Sequence, residues 1–274
     1  MSQGNIRKMT AELQMPVQYA LPVGSDSVPI NPQLGKKITL THTGKINCIA
    51  CNRLIKKSYN QGYCFPCVQK LAECDICIVR PERCHFDQGT CREPDWALEH
   101  CMQPHFVYLA VSSGIKVGIT RHTQIPTRWI DQGATQAIPF FKVQTRLQSG
   151  LIEIALSEHV SDKTNWRKML QANHDIQADE LRAKKDELLS LAATRISELR
   201  EQLGEDNIEL LVDQDITNIS YPVRAFPKKI SSLNFDKTPE ISGTLLGIKG
   251  QYLILDCGVL NIRKFTGYEI SVEF

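Results

Sequence analysis

An α+β fold built mainly from antiparallel β-hairpins is predicted for this chain by three features. Short apolar runs alternate with polar residues near both ends, the period-2 pattern of half-buried strands. Nine of the ten cysteines crowd between Cys48 and Cys101. One stretch, ADELRAKKDELLSLAATRISELREQLG, places Leu181, Leu188, Leu191, Ala192, Ile196, Leu199 and Leu203 near helical spacing and stops at Gly204. The chain then divides into N-terminal strands (1–47), a cysteine-rich module (48–104), a small α/β domain (105–170), an amphipathic helix (171–207) and an antiparallel β domain (208–274).

At the N-terminus, MPVQYALPV and KKITLTH read as strands, joined by the loop GSDSVPINPQLG and followed by the turn Thr43-Gly44-Lys45. The helix of 171–207 is continuous and acidic on its wet face, so a packing or spacer role is expected. From Ile208 onward, IELLV, ISYPV, KISSLNF, EISGTLLGI, QYLILDC, VLNIRKF and YEISVEF alternate as strands do. Gly250, Gly258 and Gly267 punctuate them as hairpin turns. A small sheet or barrel is expected there, completed by the N-terminal strands, with Cys257 in its core.

A chain of 274 residues, 42% hydrophobic and 23% charged, has the composition of an ordinary globular protein of about two domains. No apolar run approaches the roughly 18 residues of a membrane span, and MSQGNIRKMTAELQM lacks the apolar core of an export signal. A cytoplasmic protein without a membrane partner is expected. The net charge of +2 hides a polarity. Residues 1–70 hold nine Lys/Arg against two Asp/Glu, whereas residues 171–215 hold five against twelve. A basic front half suits a phosphate backbone, because neutralising phosphates releases counterions. DNA or RNA is the expected partner.

In a reducing compartment, clustered cysteines point to metal rather than disulfides. Cys48-Ile49-Ala50-Cys51 and Cys64-Phe65-Pro66-Cys67 are two CxxC pairs twelve residues apart. Each pair turns two thiolates toward one point, and zinc accepts four sulfurs tetrahedrally. A structural zinc ion is expected on Cys48, Cys51, Cys64 and Cys67, in a zinc-ribbon-like module. Between the pairs, Arg53, Lys56 and Lys57 accompany Tyr59 and Tyr63, residue types suited to phosphate contact and base stacking. A solvated basic loop is the plainer alternative. The second cluster comprises Cys74, Cys77, Cys84, Cys91 and Cys101, with His85, His100 and His105 nearby. A second zinc is expected on Cys74, Cys77 and two of the other three. An iron–sulfur cluster on four of these thiols is the alternative.

After the cysteines, Phe106–Val111 and Ile115–Thr120 form two apolar runs around Ser112-Ser113-Gly114, the signature of a hairpin with a three-residue loop. Pairing Val111 with Ile115 sets Ala110 opposite Lys116 and Tyr108 opposite Gly118. Tyr108, Lys116, Gly118 and Thr120 then share one face. Gly118 is expected to leave a phosphate-sized space beside the Tyr108 hydroxyl.

These residues resemble the two signature strands of the GIY-YIG nucleases, over roughly residues 105–170. Val107-Tyr108-Leu109 stands at the first motif and Lys116-Val117-Gly118 at the second, followed by Thr120. Lys116 replaces the second tyrosine, a replacement found in the compact phage-type branch. Arg128, in PTRWIDQ, falls where the family places its catalytic arginine. Glu153, opening the helical stretch EIALSEHV, falls where the family places its metal-binding glutamate, and Asn165 where many members carry a supporting asparagine. The resemblance implies a Mg²⁺- or Mn²⁺-dependent phosphodiesterase. In it Tyr108 is the base or water-positioning group, its phenol pKa lowered by Lys116. Arg128 clamps the phosphate, Glu153 holds the metal and Asn165 orients its water shell. The same fold serves equally as a binding platform without cleavage. Over its full length, the chain also resembles a bacterial family of unassigned function through its cysteine module and the phrases KVGITR, RWIDQGA and GIKGQYLILD.

Overall fold

The computed structural model describes residues 2–174 and 176–274. It is an α+β structure of three antiparallel sheets with helices on one side of the middle one. The two ends of the chain meet in the largest sheet. Its strands run in the order Ser2–Asn5, Tyr268–Glu273, Lys37–Asn47, Glu240–Lys249, Tyr252–Leu255 and Gly258–Asn261, and Leu54–Ile55 also pairs with Lys37–Asn47. The expected completion of the C-terminal sheet by N-terminal strands is therefore present. Thr10–Glu12, Gln18–Val23 and Asp26–Pro29 form a smaller meander beside it. Cys257 does not join the core. It is exposed on the turn between Tyr252–Leu255 and Gly258–Asn261.

The second sheet is ordered Ile208–Leu210, Gln136–Val143, His105–Val111 and Ile115–Arg121, and Thr217–Asn218 also pairs with Gln136–Val143. The hairpin register is the one the period-2 argument requires: Tyr108 opposite Gly118, Ala110 opposite Lys116 and Val111 opposite Ile115. Ile208–Leu210 and Thr217–Asn218 belong here and not to the C-terminal sheet, because they bond to the free edge of Gln136–Val143.

Alternation along His105–Val111 serves two cores. Tyr108 and Ala110 point into the core shared with the large sheet, together with Trp129, Ile248 and Leu253. Val107, Leu109 and Val111 point the other way, against Ile152, Leu156, Leu181, Leu188 and Leu199. The helix holding Glu153 spans Arg146–Ser157 and starts seven residues before that glutamate. Thr145 caps it, accepting from the Gln148 amide while the Gln148 side chain accepts from the Thr145 amide. The expected continuous helix is two helices, Ala178–Leu191 and Ala193–Leu203, with Ala192 off helical geometry at ψ 4°. The break lets Leu188 and Ile196 both stay buried against the second sheet. Among the described residues, no helix is long and apolar enough to cross a membrane.

Candidate metal centre and cationic cleft

The first cysteine set assembles as the spacing requires. Lys37–Asn47 delivers the Cys48–Cys51 turn, and Cys64 caps the short helix Phe65–Lys70, which carries Cys67. The four sulfurs lie within 4.8 Å of one another, and the Cys51 and Cys64 Sγ atoms are 3.7 Å apart. A tetrahedral zinc with bonds of about 2.3 Å separates its sulfurs by about 3.8 Å. The Cys64 amide donates to Cys48 Sγ at 3.2 Å. Burial works to raise the Cys48 thiol, but the amides of Cys51, Cys64 and Ala50 outweigh it and bring it down to about 6. Hydrogen bonding to Cys64 pushes Cys67 up. The set suits structural zinc: four sulfurs share a cation-sized space, and one is already poised to ionise.

The second cysteine set differs from expectation. Cys77, Cys84, Cys91 and Cys101 line one enclosed cavity together with Asp75, His85 and Trp96. Cys74 is not among them. It stands at the end of the turn Ala72–Cys74 and faces a separate cleft, where Asn60 hydrogen-bonds its thiol. Cys77 itself sits in the next turn, Ile76–Ile78, capped by the Asp75 side chain. The structure thus does not bring Cys74 and Cys77 to one cavity.

That cleft encloses about 920 Å³ between the cysteine module, the N-terminal segment and the hairpin domain. Seven cationic side chains line it. Arg7 and Lys8 come from the N-terminus, Arg92 from the cysteine module, Arg121, Arg128 and Arg146 from the hairpin domain, and Arg263 from the C-terminal sheet. Only Glu73, Asp75 and Asp131 oppose them, and two of these are already paired. Asp75 accepts from Arg92 Nε at 2.6 Å and Asp131 from Lys8 Nζ at 2.8 Å. Burial, then the positive charge of Arg128, holds Arg263 below its ordinary pKa. His105 Nε2 and Arg146 Nε, both at this cleft, are buried without a hydrogen-bond partner.

Arg128 stands on the short helix Thr127–Asp131, fixed by neighbours from distant parts of the sequence. Trp129 packs edge-on against Tyr108, with ring centroids 5.8 Å apart. At the helix end, Gln251 Nε2 donates to Asp131 Oδ1 at 2.8 Å and to the Met9 carbonyl at 2.9 Å, while the Met9 amide donates back to Gln251 Oε1 at 2.8 Å. Just beyond, Gln132 Oε1 accepts from the Tyr108 hydroxyl at 3.1 Å and from Lys116 Nζ at 2.5 Å. Tyr108, Lys116, Arg128 and Glu153 all fall within one another's electrostatic reach. Burial, then Arg128, lowers Lys116 to about 8. Burial, then the like charge of Asp162, raises Glu153 to about 7.

Two sequence expectations change here. The Tyr108 phenol is raised, not lowered: burial dominates, and Arg128 only partly offsets it. Gly118 leaves no open hollow, because a Cβ there would stand 2.8 Å from the Tyr108 hydroxyl oxygen, so the phenol fills that space. Arg53, Lys56 and Lys57 are exposed and none lines the cleft. Asn165 caps the turn Trp166–Met169 through a 3.2 Å bond from the Lys168 amide, and its own amide donates to Ser113 Oγ at 2.9 Å. Gln132 escaped the sequence reading although it lies in the quoted RWIDQGA, because a glutamine carbonyl carries no motif. Arg7, Lys8, Arg121, Arg146 and Arg263 lie too far apart in sequence to read as one patch. Only the basic excess of residues 1–70 hinted at two of them.

Fold and site together define an α+β protein with a four-cysteine centre suited to zinc and a deep cationic cleft. The chain belongs to the family described as "Protein of unknown function (DUF2797)", whose signature matches residues 35–270. That agrees with the resemblance of its full length to a family of unassigned function. No curated protein and no solved structure matches the chain.

Proposed function

We propose that this protein binds nucleic acid in the cleft and cleaves its backbone with a divalent metal held at Glu153. The observation that carries the reading is the convergence of seven cations, Arg128 among them, on one concave surface; Tyr108, Lys116 and Glu153 do not line it but lie within the electrostatic reach of Arg128. A surface that collects like charges at the cost of burial suits a polyanion, which relieves the repulsion. Further support comes from element order. Hairpin, short helix, strand and helix follow one another between His105 and Ser157, the succession implied by the resemblance to GIY-YIG nucleases.

Within this reading the Arg128 guanidinium clamps the phosphate through paired donors. The Tyr108 hydroxyl proton is committed to Gln132, so its oxygen lone pairs are turned to Arg128 or a water, which favours positioning over proton abstraction. A divalent cation at Glu153 would also be attracted by Asp162, and its charge would offset the burial and, after it, the like charge of Asp162 that hold Glu153 up. Mg²⁺ or Mn²⁺ bound there would supply charge neutralisation at the phosphorus. The zinc centre staples the module that forms one wall.

The full burial of Tyr108 and the lysine at position 116 favour a second reading, a binding platform without cleavage. Incubation with single- and double-stranded DNA and RNA in Mg²⁺ or Mn²⁺ separates the two. Cleavage that is lost in Arg128→Ala and Glu153→Ala supports the nuclease. Salt-sensitive binding with no cleavage supports the platform.

A further inference from the structure

We propose that Cys77, Cys84, Cys91 and Cys101 hold an iron–sulfur cluster rather than a second zinc ion, a site independent of the cleft reading. The four side chains wall a single enclosed cavity whose remaining lining is largely apolar, including Ile78, Phe86 and Trp96. Their spacing departs from that of the first set. Among the described residues, no three of these sulfurs come within 4.8 Å of one another, whereas all four of the first set do. A single tetrahedral ion draws its thiolates to about 3.8 Å. A cubane carrying one iron at each thiolate holds them several ångströms further apart. The sequence agrees, because six, six and nine residues separate successive cysteines and no CxxC turn is present.

The surrounding chain needs such an anchor. From Ala72 to Gln88 it is a series of four three-residue turns, Ala72–Cys74, Ile76–Ile78, Pro81–Arg83 and Phe86–Gln88. None of its residues enters the three hydrophobic clusters of the molecule. Pro81 and Glu82 pack on Gly150 of the helix Arg146–Ser157, and a group shared by the cysteines would add the order that apolar packing supplies only there. No disulfide is present among these cysteines. Arg146 supplies the counter-charge. Its Nη2 donates to the Ile78 carbonyl at 2.5 Å, its Nε has no partner, and its charge is felt at both Cys77 and Cys101.

A single ion on Asp75, Cys77 and His85 is the competing arrangement, since those three do lie within 4.8 Å. Asp75 is already committed, however. One oxygen accepts from Arg92 Nε at 2.6 Å and the other from the Cys77 amide at 3.3 Å. His85 Nδ1 is held 2.7 Å from Thr90 Oγ1, which leaves Nε2 facing Asp75 at 3.7 Å, so a single zinc on these three is the outcome that metal analysis must exclude. These groups brace the cavity wall.

The test is elemental and spectroscopic, on the full chain purified without oxygen and then reconstituted with ferric iron, sulfide and a dithiol, which supplies the two electrons that a cluster of two ferric and two ferrous ions needs. Expected are about four iron and four sulfide per chain, about one zinc, and a broad visible absorbance that bleaches on reduction with dithionite. Cys84→Ser and Cys91→Ser should lose the iron and keep the zinc. Cys74→Ser should keep both, and Cys48→Ser should lose only the zinc. Two zinc ions and no iron in the reconstituted wild-type protein would overturn the proposal, and that result does not depend on any variant folding. Nucleic-acid binding plays no part in the readout, so this proposal and the cleft reading fail separately.

Discussion

Gln251 donates to Asp131 across 120 residues of sequence, at 2.8 Å, and joins the turn of the C-terminal hairpin to the helix of Arg128. The turn fits closely: Gly250, at φ +61°, stands where a Cβ would come within 3.0 Å of the Asp131 carbonyl. The phrases RWIDQGA and GIKGQYLILD, distant in sequence, are thus two halves of one contact. Asp131 also pairs with Lys8, and its side chain is 4% exposed. Gln251→Ala should leave Asp131 Oδ1 and the Met9 amide without their partner, lowering stability by about 1–3 kcal/mol in thermal or urea unfolding. Lys8→Ala should cost less, because the lysine side chain is 41% exposed.

Glu153 sets a pH dependence whose sign is fixed by its direction of shift. A carboxyl held at about 7 when folded binds more protons than the unfolded chain between its usual value of about 4.5 and 7. Its contribution therefore destabilises progressively as pH rises through that window, and the full penalty stands above 7. Glu153→Gln should raise the melting temperature by a few degrees (about 1–2 kcal/mol) at pH 8 and leave it unchanged near pH 4. Mg²⁺ should stabilise the wild type at pH 8 and leave the variant unaffected, as ligand linkage requires.

Gly118→Ala reads out the packing of the hairpin face. The new methyl would meet the Tyr108 ring and hydroxyl at 2.8–3.2 Å. The ring cannot retreat easily, because Trp129 backs it and Gln132 holds its hydroxyl. A loss of about 1–3 kcal/mol in denaturant unfolding is expected.

Chelation of the first centre should unfold the cysteine module. Cys51→Ser should remove one zinc per chain by metal analysis and lower the melting temperature by many degrees, since structural zinc contributes folding free energy directly.

Local chemistry was legible in the sequence and long-range chemistry was not. The Tyr108–Gly118 and Ala110–Lys116 pairings follow from alternation and a three-residue loop alone. The first cysteine set follows from two CxxC turns at a distance one helix and one loop can close. The start of the Glu153 helix is readable too, since Thr145-Arg146-Leu147-Gln148 is a capping box. That Cys74 lies outside the cavity lined by Cys77, Cys84, Cys91 and Cys101 follows from the successive turns Ala72–Cys74 and Ile76–Ile78, which residue spacing does not encode. The cleft draws its cations from positions 7 to 263, so only the closure of N- and C-terminal strands into one sheet assembles it.

The cleft as a phosphate-binding surface is tested most directly by fluorescence anisotropy of labelled single- and double-stranded DNA and RNA across a salt series. Affinity should fall steeply and linearly on logarithmic axes. Arg128→Ala and Arg263→Ala should each weaken binding by about tenfold or less and flatten the slope by about one. The triple replacement of Arg53, Lys56 and Lys57 by alanine should change affinity by less than about threefold, as solvated charges outside the cleft lining do. Binding that is absent at low salt for every substrate, or that vanishes in the triple variant and survives in both cleft variants, would contradict the account.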